Sequence, residues 1–490
     1  MKKLIVLLLT LLSLQVSAQR VLTLDNCRAL ALRNNKTLRA SRMGQEMALN
    51  AQKAARTQYL PKVDAVGNYT YLSKEISLLS NKQKNALNNL GTNAVSNATD
   101  LLTSLVQSGS ISSEQAALIG EAMSKNSAVA VATGNSFGKA ITDALKTDTK
   151  NVWNGGIEVR QPIFMGGAIK AANNIADISR QMADNNVDLM SQQTLYDIDK
   201  AYWTAVSLRQ KKNLAYSYRD LVRQLNADVH KMIKEGVATK ADGLRVDVRS
   251  NEADMQIVQV EDGLVLSKML LCQLCGLPLE EQVTLADENK KNLDATPIDT
   301  SAAPYSSVTS RPEIRLMQNA VDISEQNTNI VRAAFLPKVF LTGGYWVSNP
   351  NLYNGFKRDF SGVWNIGVSV AIPVWNWFEG RYKVRASEAS TVIARLNLSD
   401  MQEKVVLQVT QGRFKVKEAH KRLNMAMSNL ASAEENLRCA NIGFKEGVMD
   451  LTNVMEAQTA WEQAQSEKID AEVEVKLSEV NLQKAMGNLR

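Results

Sequence analysis

Val152-Trp153-Asn154-Gly155-Gly156-Ile157-Glu158-Val159-Arg160-Gln161-Pro162 alternates along much of its length and ends on proline, and Val363-Trp364-Asn365-Ile366-Gly367-Val368-Ser369-Val370-Ala371-Ile372-Pro373 does the same 211 residues later. Two further landmarks keep that offset, Gly236 with Gly447 and Gly276 with Gly487. A constant offset means that the stretches between landmarks are equally long in both halves, as rigid elements must be if they end at matching heights. The chain therefore reads as two copies of one unit. Upstream, Arg56-Thr57-Gln58-Tyr59-Leu60-Pro61-Lys62-Val63 is echoed by Arg332-Ala333-Ala334-Phe335-Leu336-Pro337-Lys338-Val339 at an offset of 276. The first copy thus carries 65 additional residues, between Leu72 and Asn151.

The Leu-Pro steps end helical patterns, because proline lacks the amide donor and disfavours helix in the residue before it. Beyond each step the period becomes two. Val63, Ala65, Gly67, Tyr69 and Tyr71 share one face, and Val339, Leu341, Gly343, Tyr345 and Val347 another. With the two opening segments this predicts four strands, at about 62–72, 152–163, 338–347 and 363–374. Each is about ten residues long, and Tyr69, Tyr71, Trp153, Tyr345 and Trp364 supply aromatics near strand ends, the pattern of tilted transmembrane strands with interfacial aromatics. The alternative is a soluble four-stranded sheet. An open sheet edge in lipid leaves backbone groups unpaired at several kcal/mol each, so four strands span a bilayer only as part of an assembly. A trimer supplies twelve strands and a dimer eight, both even numbers suited to a barrel.

Between the strands the period is helical. Thr23 is a candidate N-cap for a helix running to about Tyr59. From Gly167 to Glu235 and from Gly380 to Glu446 there is no proline, and each run, if helical throughout, extends on the order of 100 Å. Ile469, Val473, Leu477 and Val480 form an apolar stripe, with Ala457, Ala460, Ala464 and Ala471 interspersed as coiled-coil-like packing requires. Both runs end at a Lys-Glu-Gly-Val turn, 234–237 and 445–448, where glycine supplies a left-handed helix stop. The division that follows is a secretory signal peptide at 1–18; a first repeat at 19–277 with an insertion at about 73–150, read as short helices, and a helical hairpin at 167–275; a linker at 278–305; and a second repeat at 306–490 with a hairpin at 380–487. The signal peptide is read from Met1-Lys2-Lys3, the apolar run Leu4 to Leu14 and Val16-Ser17-Ala18. No cysteine follows that site directly, so no lipid anchor is expected.

Composition excludes other classes. No later stretch approaches the roughly 20 apolar residues of a membrane-crossing helix. The net charge of +7 comes from interspersed lysines and arginines without a basic stripe, which argues against nucleic-acid binding. Cys272 and Cys275 form a Cys-x-x-Cys, but in an apolar helix end with no second ligand pair. His230 and His420 each stand among helical residues without an accompanying acid and nucleophile, so no catalytic residue, metal site or cofactor is expected and the chain is read as not an enzyme.

The order of elements, the Leu-Pro-Lys-Val strand entries, the exits Gln161-Pro162-Ile163-Phe164 and Ile372-Pro373-Val374-Trp375, and the paired glycine tips together resemble the TolC family of outer-membrane efflux proteins over essentially the whole mature chain. The resemblance implies a mainly α fold with a transmembrane β part: a homotrimer with a 12-strand β-barrel in the outer membrane of a Gram-negative bacterium and a 12-helix α-barrel extending into the periplasm. It implies a passive exit duct of a tripartite efflux or type I secretion system, surrounded by outer-membrane lipid. Its partners would be a periplasmic adaptor (membrane fusion protein) and an inner-membrane RND or ABC transporter. The family's gate acids fall on Asn453 and Glu456, the first a departure; Asp450 stands one turn earlier, Asp242 is the corresponding acid after the first tip, and a family arginine falls at Met449. The tips Gly236, Val237, Gly447 and Val448 are implied as the adaptor docking surface. The competing class is a secreted periplasmic coiled-coil scaffold or adaptor that never enters a membrane, for which girdled alternating strands would serve no purpose.

Overall fold

The computed structural model describes residues 20–74, 78–146, 149–290, 292–293, 311–351, 353 and 357–489. The expected signal peptide lies outside them, as do residues 291 and 294–305 of the expected linker. The chain forms two compact units, one of residues 58–166 and 336–374, the other of residues 1–57, 167–335 and 375–490.

The first of these units holds a four-stranded antiparallel sheet. Its members are β2 (Lys62–Tyr71), β3 (Asn151–Met165), β5 (Lys338–Asn349) and β6 (Ser361–Ala371), in the order β2-β3-β5-β6. The last strand stops at Ala371, short of the 374 that alternation suggests. Because side chains alternate across a strand, the register sorts them onto two faces. Tyr69 lies opposite Trp153, Ile157 opposite both Ala65 and Tyr345, and Tyr345 opposite Trp364. One face therefore gathers Val63, Tyr69, Tyr71, Trp153, Ile157, Leu341, Tyr345, Trp364, Ile366 and Val368. It is solvent-facing throughout, with Trp364 73% and Ile366 70% exposed. The opposite face carries Asp64, Asn68, Glu158, Arg160, Thr342, Asn365 and Ser369. One face is thus apolar and the other carries the charges, together with Val66, Phe340 and Trp346, the alternation of strands set between lipid and water.

Between β2 and β3 lie α3 (Asn81–Asn88), α4 (Leu90–Gln107) and α5 (Ser113–Ala144). Ser80 and Ser112 each close a capping box with a glutamine three residues on, Gln83 and Gln115. The expectation of short helices here is corrected by α5, which at 32 residues contains neither proline nor an internal cap.

The second unit is helical. Its long members are α6 (Ala168–Lys234) and α9 (Glu379–Lys445), 67 residues each. Two shorter helices flank α6 in succession, α2 (Lys36–Arg56) and then α7 (Lys240–Cys275); α8 (Pro312–Ala333) and then α10 (Leu451–Ala485) flank α9 in the same way. The α2–α6 seam is polar, with Gln52 donating to Asp177 at 2.6 Å and Gln45 to Asp184 at 2.6 Å. Ser387 and Thr391 of α9 hydrogen-bond to Ser324 and Thr328 of α8. The returning helices pack on apolar stripes instead: Val409 and Val416 meet Leu482, while Ala419, Leu423 and Ala426 meet Ala471 and Val475. Ala460, expected with the packing alanines, is exposed.

Two departures from the sequence reading share one place. The helix expected to run from Thr23 to Tyr59 is broken into α1 (Leu24–Asn34) and α2, and ends in a short 3-10 turn at Thr57–Tyr59. Asn35 is extended, and its side chain accepts from the amides of Thr37 and Leu38 to cap α2. Asn34 donates to the carbonyl of Cys275 at 3.2 Å, satisfying an acceptor at the end of α7 that has no partner within the helix. In the expected linker, β4 (Val283–Leu285) pairs in parallel with β1 (Arg20–Leu22). That pair and α1 bury Leu22, Cys27, Val283 and Leu285 with Ile198, Tyr202, Val206, Leu271, Cys272 and Cys275. Tyr202 donates to Asp287 at 2.6 Å, and Arg28 grips the fully buried Asp199 through two hydrogen bonds of 2.7 and 2.5 Å.

Candidate conduit face and helix tips

Both tips are built by the same hydrogen bonds. At the end of α6 the Val237 amide donates to the Met232 carbonyl at 2.8 Å and the Gly236 amide to Ile233 at 3.1 Å; at the end of α9 Val448 donates to Gly443 at 2.9 Å and Gly447 to Phe444 at 3.1 Å. This paired closure needs a left-handed residue, supplied by Gly236 at φ 78° and Gly447 at φ 72°. Gly276 and Gly487 close α7 and α10 with the same bonds, so all four landmark glycines serve one geometric purpose. Val237 and Val448, which would ordinarily tuck against the last helical turn, are among the most exposed apolar residues of the chain. Behind the tips, Leu225, Val229, Val246, Leu437, Leu451 and Val454 form a core joining the two hairpins. Higher up, Arg249 donates to Thr459 at 2.7 Å and Gln256 to Glu462 at 2.9 Å, tying α7 to α10.

Two of the acids after the tips, Asp242 and Asp450, cap helices. Thr239 and Asp242 form a capping box, in which the Asp242 carboxylate accepts from the Thr239 hydroxyl at 2.6 Å and amide at 3.0 Å. Those bonds hold its carboxyl below the usual carboxylate range, so it is ionised at neutral pH. Asp450 caps α10 by accepting from the Asn453 amide at 2.9 Å; an anion there also favours the helix dipole. Asp450, Asn453 and Glu456 are all exposed at intervals of three residues and so lie along one side of the first turns of α10. Among the described residues no ion pair or hydrogen bond joins Asp242 to this row. The side chain of Met449, where the family arginine would fall, lies against Gly443: a Cβ on that glycine would come within 2.8 Å of it. The sequence reading placed these acids but missed their capping, which the Thr239-x-x-Asp242 spacing signals.

The remaining candidates are structural. His230 bonds Asp247 at 3.1 Å across the first hairpin, and His420 stands 3.7 Å from Glu479. Cys272 and Cys275 are buried free thiols beside Cys27. On the outward face of the sheet the Tyr69 and Trp153 rings lie 4.5 Å apart. On the polar face Arg160 reaches Glu158 at 3.2 Å.

Comparison with known proteins agrees with this architecture. The family model described as outer membrane efflux protein matches residues 28–277 and 303–488. Relatives include the alkaline protease secretion protein AprF of Pseudomonas aeruginosa, 24% identical over 46% of this chain and 46% of its own length. The cation efflux system protein CusC of Escherichia coli O6:H1 is 21% identical over 56% of this chain and 58% of its own. The outer membrane protein TolC of Vibrio cholerae is 22% identical over 68% and 76%. The chain thus spans about half the length of the first two. Among solved structures, the Campylobacter jejuni CmeC outer membrane channel superposes with a TM-score of 0.71 at 15% identity, over 95% of this chain and 86% of that one. A CusC structure superposes at 0.70 and 15% identity, over 94% and 91%.

Proposed function

The chain belongs to the outer membrane efflux protein family, and from that premise we propose that it is the outer-membrane exit duct of a tripartite efflux or type I secretion system. The observation that carries this reading is the two-faced sheet, with an exposed apolar face on one side and Asp64, Glu158, Arg160 and Asn365 on the other. Lipid would cover the first face and water fill a lumen along the second. Strands β2 and β6 each keep one free edge, which in lipid must be paired. Three copies joining edge to edge would close a twelve-stranded barrel, as the family resemblance implies. A periplasmic scaffold would have no use for such a face.

On this reading the protein does no chemistry. It offers a passage, and an inner-membrane pump, coupled through a periplasmic adaptor, supplies the driving force and chooses the cargo. The exposed Val237 and Val448 at the glycine turns are the proposed adaptor contacts. Asp450 and Glu456, with Asp242, are the proposed acids at the entrance; three-fold repetition would make each a ring that attracts cations.

The test is migration of the outer-membrane fraction on a denaturing gel, unboiled against boiled, with crosslinking to count subunits. A heat-sensitive, membrane-bound trimer supports the duct. A soluble monomer or dimer released by osmotic shock overturns it in favour of the scaffold.

A further inference from the structure

Three of the four cysteines meet in the core beneath the β1–β4 pair, where Cys27, Cys272 and Cys275 are each at most 1% exposed. A buried thiol often serves as no more than a small apolar side chain, but these three are not oriented alike. Cys272 and Cys275 stand three residues apart at the end of α7 and turn to different neighbours. The Cys272 thiol donates to the Glu281 carbonyl at 3.9 Å. The Cys275 thiol donates to the carbonyl of Cys27 at 3.8 Å and lies within hydrogen-bonding reach of the Cys27 thiol.

The backbone holds this approach in place. Cys27, Ala31 and Asn34 recur at helical spacing on α1, and Ala31 is fully buried. Asn34 donates to the Cys275 carbonyl at 3.2 Å, and a Cβ on Gly276 would lie 2.5 Å from the Asn34 Cβ. One face of α1 is therefore seated on the last turn of α7. Among the described residues no group of three His, Cys, Asp or Glu is placed to hold a metal ion, so the cluster does not read as a metal centre. A member of an outer-membrane family folds in the periplasm, where the oxidising environment favours disulfides over paired thiols.

We propose that Cys27 and Cys275 are joined by a disulfide in the exported protein, with Cys272 left as a thiol, and that this bond fastens the start of the chain to the end of the first helical hairpin. The two residues are 248 positions apart, and a long closed loop removes more freedom from the unfolded chain than a short one. The bond forms by exchange with the disulfide of a periplasmic dithiol oxidoreductase. One chain thiolate attacks the donor disulfide and releases a donor thiolate; the second chain thiolate attacks the chain sulfur of the mixed disulfide and releases the other. The chain loses two electrons and two protons, and the donor takes up both and becomes a dithiol. Contact with Cys27 and burial push the Cys275 thiol above its ordinary range. The reactive thiolate is scarce once the core has closed, so the exchange precedes burial.

The experiment counts thiols in the full-length protein. Outer membranes are quenched in acid, denatured and alkylated with a maleimide-polyethylene glycol, with and without prior reduction. The native chain should take two additions unreduced, at Cys272 and Cys439, and four after reduction. Cys272→Ala should take one unreduced and three after reduction. Four additions to the unreduced native chain overturn the bond. Three additions to unreduced Cys272→Ala assign the pairing to Cys272 and overturn the Cys27–Cys275 pair. Either failure leaves the duct reading standing.

Discussion

Trp377 holds in the second repeat the left-handed backbone that Gly166, its counterpart 211 residues earlier, holds in the first, with φ 50° against 63°. Phe378 and Gly167 are related in the same way, at 64° and 89°. A residue with a Cβ pays roughly 1–2 kcal/mol for that conformation and glycine does not. Ring contacts offset it: Trp375 meets Trp377 edge-on at 5.7 Å and Phe378 at 5.5 Å, each pair contributing about 0.5–1.5 kcal/mol beyond burial.

Trp375→Ala should therefore destabilise the chain by about 1–3 kcal/mol, because both ring contacts go and the strain stays. Trp377→Gly should change stability by less than about 1 kcal/mol, since strain and one ring contact leave together. Denaturant midpoints of the detergent-solubilised protein measure both. Equal losses would show that the strain contributes nothing.

Asp199 is fully buried against the guanidinium of Arg28. Arg28→Met should cost about 3–5 kcal/mol by stranding a buried carboxylate, and Arg28→Met with Asp199→Leu should recover most of that. A double-mutant cycle on unfolding free energy gives the coupling. Additive losses would mean that the two side chains act independently.

Asp450 offers a separation of charge from capping. Asp450→Asn keeps an acceptor for the Asn453 amide, whereas Asp450→Ala loses it at about 0.5–2 kcal/mol. If these acids set selectivity, Asp450→Asn and Glu456→Gln should each shift the reversal potential in a planar bilayer toward weaker cation preference, with Asp450→Asn losing no more than about 1 kcal/mol of stability from the helix dipole. Unchanged reversal potentials in both variants would remove these residues from the entrance.

Glu479 is buried on α10, with His420 at 3.7 Å and Lys476 nearby. Burial pushes its carboxyl above the ordinary range, with Lys476 opposing. A carboxyl raised on folding gives stability that is fully present below its unfolded-state pKa, about 4.3, and lost as pH rises through the folded value. Glu479→Gln should accordingly match the native chain at about pH 4 and exceed it in stability at pH 8. Thermal unfolding at the two pH values checks this, and a variant less stable at pH 8 would reverse the sign.

The repeat, the positions of the strands, the two unbroken helical runs and the glycine stops were legible in the sequence. Each rests on spacing along the chain: alternation for strands, proline-free length for helices, a fixed offset for the copies. The acids after the glycine turns were legible only as positions, since the capping bonds of Asp242 and Asp450 depend on where the helices begin.

What tertiary structure alone decided involves partners far apart in sequence. Nothing local to Asn35 announces that it interrupts a helix, because the compensating contact, Asn34 on the Cys275 carbonyl, comes from 241 residues away. The pairing of β1 with β4 and the grip of Arg28 on Asp199 are of the same kind. Periodicity fixes which face of an element is apolar. Which element covers that face is settled only when the chain folds back, because burial and hydrogen bonding act between residues that the sequence keeps apart.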